Sequence, residues 1–283
     1  MGLARRLEWL TPAYWRAPPP VVAVVRLAGV IGPIGPLRRG LALAGLARTL
    51  ERAFRLRRLA AVALTINSPG GSPVQASLIC GRIRALAAEH DVPVYAFAED
   101  VAASGGYWLA LAGDEIYADP ASIVGSIGVV TAGFGLHQAL ARLGIERRLH
   151  TAGAKKAMLD PFRPEDPDDL ARLAAIQADI HARFQETVRA RRGDRLSAPE
   201  DELFSGAFWT ARQALGMGLI DGLGDLRGVL RARFGPRVRL RPVGEPRGLP
   251  FLRLRRAEAP SEAWAAGVLA AIEARALWGR FGL

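Results

Sequence analysis

Two lysines, Lys155 and Lys156, stand side by side in a chain that holds 38 lysines and arginines in all. Lysine is normally among the commonest residues, so this sequence has drifted to arginine wherever a positive charge suffices. An ammonium can release its proton when buried and a guanidinium cannot. A lysine that survives such a drift is a candidate for chemistry that needs a neutral amine. Upstream, the run Ala102-Ala103-Ser104-Gly105-Gly106-Tyr107 offers a matching nucleophile. A serine hydroxyl activated by a neighbouring base performs acyl transfer.

Such a pair needs a scaffold, and the patterning supplies one. Val21–Val25, Leu59–Ile66 and Val94–Ala98 read as buried strands, followed by Glu115–Tyr117 and Ile123–Val130. Between them lie helical stretches over 41–54, 73–89, 104–111 and 135–143, and a long helix over 166–192. The long helix carries Leu170, Leu173, Ile176, Ile180, Phe184 and Val188 on one stripe. A Thr210 N-cap opens a helix over 211–216, another spans 226–234, and Ser261 caps a last amphipathic helix through Leu277. Strands alternating with helices predict an α/β fold with much parallel sheet. Residues 1–20 read as a basic arm ending in Pro18-Pro19-Pro20, 21–240 as the catalytic domain, and 241–283 as a basic loop with the terminal helix.

In that scaffold Ser104 follows a strand and a tight turn and opens a helix, so the first helical amides point outward toward its side chain. An acyl-transfer oxyanion needs donors fixed before charge develops. Gly105 can give one amide, and the glycine turn Asn67-Ser68-Pro69-Gly70-Gly71 another. As base, the four histidines His90, His137, His150 and His181 show no partner carboxylate nearby in sequence, although a Ser–His–Asp triad stays open because partners need not be neighbours. His181 is expected on the solvent face of its helix. The lysines sit in the loop Ala152-Gly153-Ala154-Lys155-Lys156-Ala157-Met158-Leu159, whose small and apolar residues favour burial of an amine.

Several motifs taken together resemble the SppA-type signal peptide peptidases, serine–lysine peptidases of the crotonase and Clp-protease superfold. They are Asn67 to Gly71, Val101 to Tyr107, Ala118-Asp119-Pro120 with Gly125-Ser126-Ile127-Gly128-Val129, the lysine loop ending in Pro161-Phe162-Arg163, and Ala214 to Gly224. The resemblance spans about residues 21–235 and implies a spiral of ββα units. It makes Ser104 the nucleophile and, through a five-residue offset from Pro161, selects Lys156 over Lys155 as base. It places the oxyanion amides at Gly71 and Gly105 and gives Ser126 the task of holding the lysine amine. It further implies apolar peptide substrates, signal-peptide remnants among them, and homo-oligomeric rings in which serine and lysine come from neighbouring subunits.

No cofactor and no metal is called for; the single cysteine, Cys80, lies in an apolar helical stretch and reads as a packed core thiol. The formal charge is +11, with eleven arginines in residues 1–58 and ten in 227–256. Those ends suit peripheral contact with an anionic membrane. Nucleic acid is disfavoured, because aromatics do not interleave with the arginines as in a single-strand groove. No run of 18 apolar residues occurs and no export signal is read, so a cytoplasmic protein, peripheral at most, is expected. Two competing readings are a crotonase-like acyl-CoA enzyme using Glu99 or Asp100, and a catalytically silent basic scaffold for membrane or nucleic acid.

Overall fold

The computed structural model describes residues 18–32, 40–244, 272 and 275–282. The arm with Trp9, Tyr14 and Trp15 and most of the expected terminal helix lie outside these residues; within it, 275–279 are helical.

Strand β1 (Val21–Ala28) leads through α1 (Leu43–Phe54) to β2 (Leu59–Ser68), then through α2 (Pro73–His90) to β3 (Val94–Ala103). Neighbouring strands β1–β2 and β2–β3 are parallel, so each helix is a crossover that returns the chain to the same end of the sheet. Short helix α3 (Gly105–Ala110) follows, then β4 (Glu115–Ala118) and β5 (Ile123–Gly125). Strand β3 has two partners on its far side. Its first half pairs with β4 from Tyr95 to Ala98, and its second half with β5 from Val101 to Ala103. Helix α4 (His137–Arg142) and helix α5 (Pro167–Arg192) come next, then α6 (Glu200–Leu203), β6 (Phe208–Thr210) and α7 (Ala211–Gly216). Then come β7 (Gly222–Leu223), α8 (Leu226–Phe234) and β8 (Arg239–Pro242). The sheet runs β6-β5-β3-β2-β1-β8, with β4 and β7 continuing from β3, and only β6 is antiparallel to its neighbour.

The central strands are buried on both faces, which explains their unbroken apolar runs. Ala23, Val25 and Leu27 of β1, Val62, Leu64 and Ile66 of β2, and Val94, Ala96 and Ala98 of β3 face the main core with α1, α2 and α3. The alternate residues Val22, Ala61, Ala63, Tyr95 and Phe97 form a second layer with Leu230 of α8. Each fully buried Leu or Ile there contributes about 1.5–3 kcal/mol. Cys80 belongs to the main core, and burial pushes its thiol up to about 11.

Three expectations need correction. β3 continues five residues past Ala98, because Asp100 finds a partner in Asn67 on neighbouring β2 and Glu99 one in Arg26 on β1, the next strand across. β5 stops at Gly125, since Gly125 (φ 105°) and Ser126 (φ 54°) leave the extended region. On α5 the apolar stripe is covered only toward its C-terminus, at Phe184 and Val188, while Leu170 and Ile176 are exposed.

Candidate active site

Ser104 is the sole residue between β3 and α3, and it holds φ 52°, ψ −123°. L-residues with Cβ rarely adopt that backbone, which costs about 1–3 kcal/mol and persists only where the surroundings enforce it. Here they do: the Ser104 amide donates to Gly125 O at 2.8 Å, and the Trp108 amide donates to Ser104 O at 3.0 Å. The Ser104 hydroxyl makes no capping bond to α3. It is half-buried at the C-terminal end of a parallel strand, where open α/β sheets collect their ligand sites.

The second turn arrives from β2. Ser68 pairs with Ala102, so the chain leaves β2 directly beside the serine turn. Gly70 lies against it: a Cβ on Gly70 would stand 2.8 Å from Ser104 Cβ, 3.0 Å from the Gly105 amide nitrogen and 3.1 Å from Ser104 Oγ. Gly71 is packed instead on Ile31, whose carbonyl would meet an added Cβ at 2.2 Å. The Gly70 carbonyl accepts from Ile31 N at 2.8 Å, and Ser72 N donates to Ile31 O at 2.8 Å, which pins both glycines. Ser72 then caps α2 through Gln75 N. Neither the Gly71 nor the Gly105 amide donates to any protein acceptor among the described residues, so both are free to bind a ligand oxygen.

Ser126 is next to Gly125, the acceptor of the Ser104 amide, and is buried with its own amide donating to Ala207 O at 2.6 Å. Of the sequence-predicted residues, Ser104 and Gly105 share one turn, the turn of Asn67 to Gly71 packs on it through Gly70, and Ser126 follows the residue that accepts the Ser104 amide. Sequence reasoning missed Gly70, the glycine in contact with Ser104; a pair of adjacent glycines gives no signal for which one faces a partner.

The lysines are not drawn in. Lys155 Nζ lies 3.4 Å from Asp169 and 3.7 Å from Asp168. Lys156 is exposed, and its side chain has no hydrogen bond or ion pair among the described residues, with Ser104, Ser126 or any other group. The expected burial of this amine does not occur within one chain. The loop belongs to an arm, residues 129–165, that no sheet covers and whose residues are almost all exposed. Phe134 (83% exposed), Leu143 (72%) and Ile145 (53%) point from it into solvent. A cleft of about 910 Å3 opens beside the loop, lined by Phe134, Leu136, Leu159, Leu170 and Leu173 among others; Ser104 is not in its wall.

None of the histidines touches Ser104. His181, expected on the solvent face, is half-buried with Nε2 3.1 Å from Ile127 O, and His90 stacks on Phe54. Glu99, a candidate base of the acyl-CoA reading, is engaged by Arg26 at 2.9 Å, and Asp100 by the Asn67 amide. No group of three or more His, Cys, Asp or Glu able to hold a metal occurs among the described residues.

Behind the serine helix, the Gly218-Leu219-Ile220-Asp221 run acts as a brace. Tyr107 of α3 donates to Leu219 O at 2.7 Å. Asp221 accepts from buried Arg192 at 2.7 Å, from the Ile116 amide at 2.7 Å and from Arg195 at 3.0 Å. Burial would raise the Asp221 carboxyl, but these donors outweigh it and hold the group below its ordinary range.

The chain matches a known peptidase class. The profile of Peptidase family S49 matches residues 87–233, and the chain belongs to that family. A protein of Brucella abortus (strain 2308) named Na(+)/H(+) antiporter NhaA is 49% identical over all of this chain, which spans 39% of it. The chloroplastic serine protease SPPA of Arabidopsis thaliana is 29% identical over 72% of the chain, which spans 31% of it. The chain thus covers well under half the length of these curated relatives. Among solved structures, a mutant of the 1510-N membrane-bound stomatin-specific protease aligns with 81% of the chain at TM-score 0.50 and 16% identity, a likeness of fold: the crotonase and Clp-protease type.

Proposed function

We propose that the chain is a serine endopeptidase that cleaves peptide bonds through an acyl-enzyme, with Ser104 as nucleophile and Lys156 as base. The observation that carries this reading is the Ser104 turn: a strained serine with a free hydroxyl beside two unpaired backbone amides. Ser104 Oγ attacks the scissile carbonyl carbon while its proton passes to the neutral Lys156 amine. The carbonyl oxygen becomes an oxyanion held by the Gly105 and Gly71 amides. As the C–N bond breaks, Lys156 returns the proton to the leaving amine. Water then attacks the ester, again deprotonated by Lys156, and frees the acid and Ser104. Ser126 orients the amine.

In this reading Lys156 acts across a boundary between copies. Its supports are the unpartnered Lys156 side chain and the exposed apolar residues of the arm, which a neighbouring copy in a homo-oligomeric ring would cover. The apolar cleft beside the loop suits small or apolar substrate side chains, such as those of signal-peptide remnants. The antiporter name belongs to the longer Brucella protein, and no transport is assigned to this chain. No helix of the described residues is long and apolar enough to cross a membrane, and peripheral contact with an anionic bilayer completes the reading.

The test is hydrolysis of casein or a fluorogenic apolar peptide. Ser104→Ala and Lys156→Arg should each lower kcat by several orders of magnitude, as for other nucleophile or base deletions, with Lys155→Arg mild. Mixing Ser104→Ala and Lys156→Ala chains separates the two geometries. If serine and lysine come from different copies of a heterologous ring, random mixing restores about a quarter of the sites. If both act within one chain, mixing restores none. Activity of Ser104→Ala within tenfold of wild type would return Ser104 to a helix cap.

A further inference from the structure

The two arginine-rich stretches, far apart in sequence, meet in the fold. Strands β1, β2 and β8 are parallel and begin at the same end: Val21 aligns with Leu59 on one side and with Arg239 on the other. The Val21 amide donates to Arg58 O at 3.2 Å and the Arg239 amide to Pro20 O at 2.9 Å, which fixes the two turns against each other. Helix α1 runs back toward that end and delivers Arg55 just past Phe54. Arg55, Arg57, Arg58, Arg237, Arg239 and Arg241 are all exposed there. Of these, Arg55, Arg57, Arg58, Arg237 and Arg241 have no side-chain partner among the described residues. Among the carboxylates of that end, Glu89 in the last turn of α2, Asp91 just after it, and Asp114 and Glu115 at the start of β4 lie on the opposite side of β2 from β8.

We infer that this arginine edge is the surface by which the protein lies on an anionic lipid bilayer, with the Ser104 site turned away from it. The inference deepens the reading above and rests on its membrane contact. Two clefts of the described residues lie elsewhere, one beside the lysine loop and one at Glu99, Asp100 and Phe281. A nucleic-acid groove would instead combine arginines with exposed aromatic faces. The sequence that enters the edge at Pro18 carries Trp9, Tyr14 and Trp15 among Arg5, Arg6 and Arg16, a composition suited to a headgroup region. Orientation follows from the strands. Arg58 precedes the first residue of β2, whereas Ser104 follows the last residue of neighbouring β3. Ten residues of strand at about 3.3 Å each separate the edge from the serine by about 30 Å. A bilayer on the edge therefore leaves Ser104 open to peptides released into water.

The experiment uses the full chain and vesicles of phosphatidylglycerol with phosphatidylcholine, or phosphatidylcholine alone, in sedimentation at low and high salt. Wild type should bind the anionic vesicles at low salt and leave them in high salt. The triple variant Arg55→Ser, Arg58→Ser, Arg241→Ser should bind about a hundredfold more weakly, at about fivefold per arginine. The triple variant Arg142→Ser, Arg163→Ser, Arg172→Ser, which removes exposed arginines of the arm and α5, should bind as wild type. Peptide hydrolysis by the edge variant, and by wild type on vesicles, should be unchanged. If wild type binds but the arm variant alone loses binding, the assigned edge is wrong and membrane contact stands. If no anionic vesicle is bound, or duplex DNA is bound in their place, both fall. Hydrolysis abolished on vesicles would overturn the orientation.

Discussion

Gly70→Ala tests whether the glycine turn after β2 is built around Ser104, the proposed nucleophile. Two costs add. At φ 105° an alanine enters backbone space that L-residues avoid, at about 1–3 kcal/mol. The new methyl would also sit 2.8 Å from Ser104 Cβ and 3.0 Å from the Gly105 nitrogen, against an ordinary contact of about 3.5–4.0 Å. Both are atoms of the turn itself, so no side-chain rotation relieves the overlap, and overpacking of this kind costs about 1–3 kcal/mol. The sum, about 2–6 kcal/mol, is a large share of a typical stability of 5–15 kcal/mol. Whatever strain is relieved by moving the serine turn instead appears as lost rate, since about 1 Å of misplacement costs about a hundredfold. Urea unfolding and kcat/KM on a fluorogenic peptide read the two together. The expected result is a lower unfolding midpoint with kcat/KM down about a hundredfold. Gly81→Ala is the control: it sits in α2 with no heavy atom within 4 Å of an added Cβ, and should stabilise by about 0.5–1 kcal/mol with activity intact. A Gly70→Ala protein with wild-type midpoint and activity within threefold would refute the contact as drawn.

Asp221→Asn should destabilise by about 3–5 kcal/mol, because it leaves the buried Arg192 guanidinium without its counter-charge. The wild-type carboxyl is held below its ordinary value of 3.8, so its stabilisation is whole above about pH 4 and is lost as the pH falls through the lowered value. Denaturant midpoints between pH 2 and 7 should therefore fall less steeply for Asp221→Asn; parallel acid limbs would sink the account. Cys80, buried with its thiol at about 11, should resist an aromatic disulfide reagent at pH 8 in the native protein and react on unfolding. Rapid native labelling would contradict the core assignment. If Lys156 works across copies, specific activity should drop on dilution in step with loss of the assembly by light scattering, and an active monomer would refute that arrangement.

Much of this was legible because the signals were local. The β-branched runs of β1 and β2 are buried on both faces, and Thr210 caps α7 with Gln213 in a reciprocal box. The rest depended on residues distant in sequence. Glu99 and Asp100 look like a turn until Arg26 arrives from β1 and Asn67 from β2. Ile123 to Val130 reads as one strand, yet the pairing that anchors Ser104 to Gly125 bends the chain at Gly125 and Ser126. The α5 stripe announces a buried face, and half of it has no cover in a single chain. Lys156 was picked out by its rarity and its motif, but rarity carries no information about which molecule the amine will meet.

The two halves of the proposed site differ in how they are held, and the difference bears on mechanism. The serine half is over-determined. Ser104 is locked by Gly125 and Trp108, Gly70 closes against it, and Tyr107 ties the helix to Leu219. At the end of that helix, Arg191 donates to Leu111 O and Gly113 O at 2.8 Å each, while Asp221 fixes Arg192 and Arg195 behind it. Strain at a nucleophile is tolerable only inside such a frame. The lysine half stands on an exposed arm held by few contacts, among them Gln177 to Thr131 at 3.1 Å and the Leu159 amide to Asp169 at 3.3 Å. A base that must sit within hydrogen-bond reach of Oγ in the transition state cannot be held to that tolerance by an uncovered loop. Burying the arm's apolar residues against another surface would supply both the fixed geometry and the water-poor setting in which an amine accepts a proton. In the proposed reading, assembly would do for Lys156 what the sheet already does for Ser104, and an isolated chain would hold Ser104 ready but unactivated.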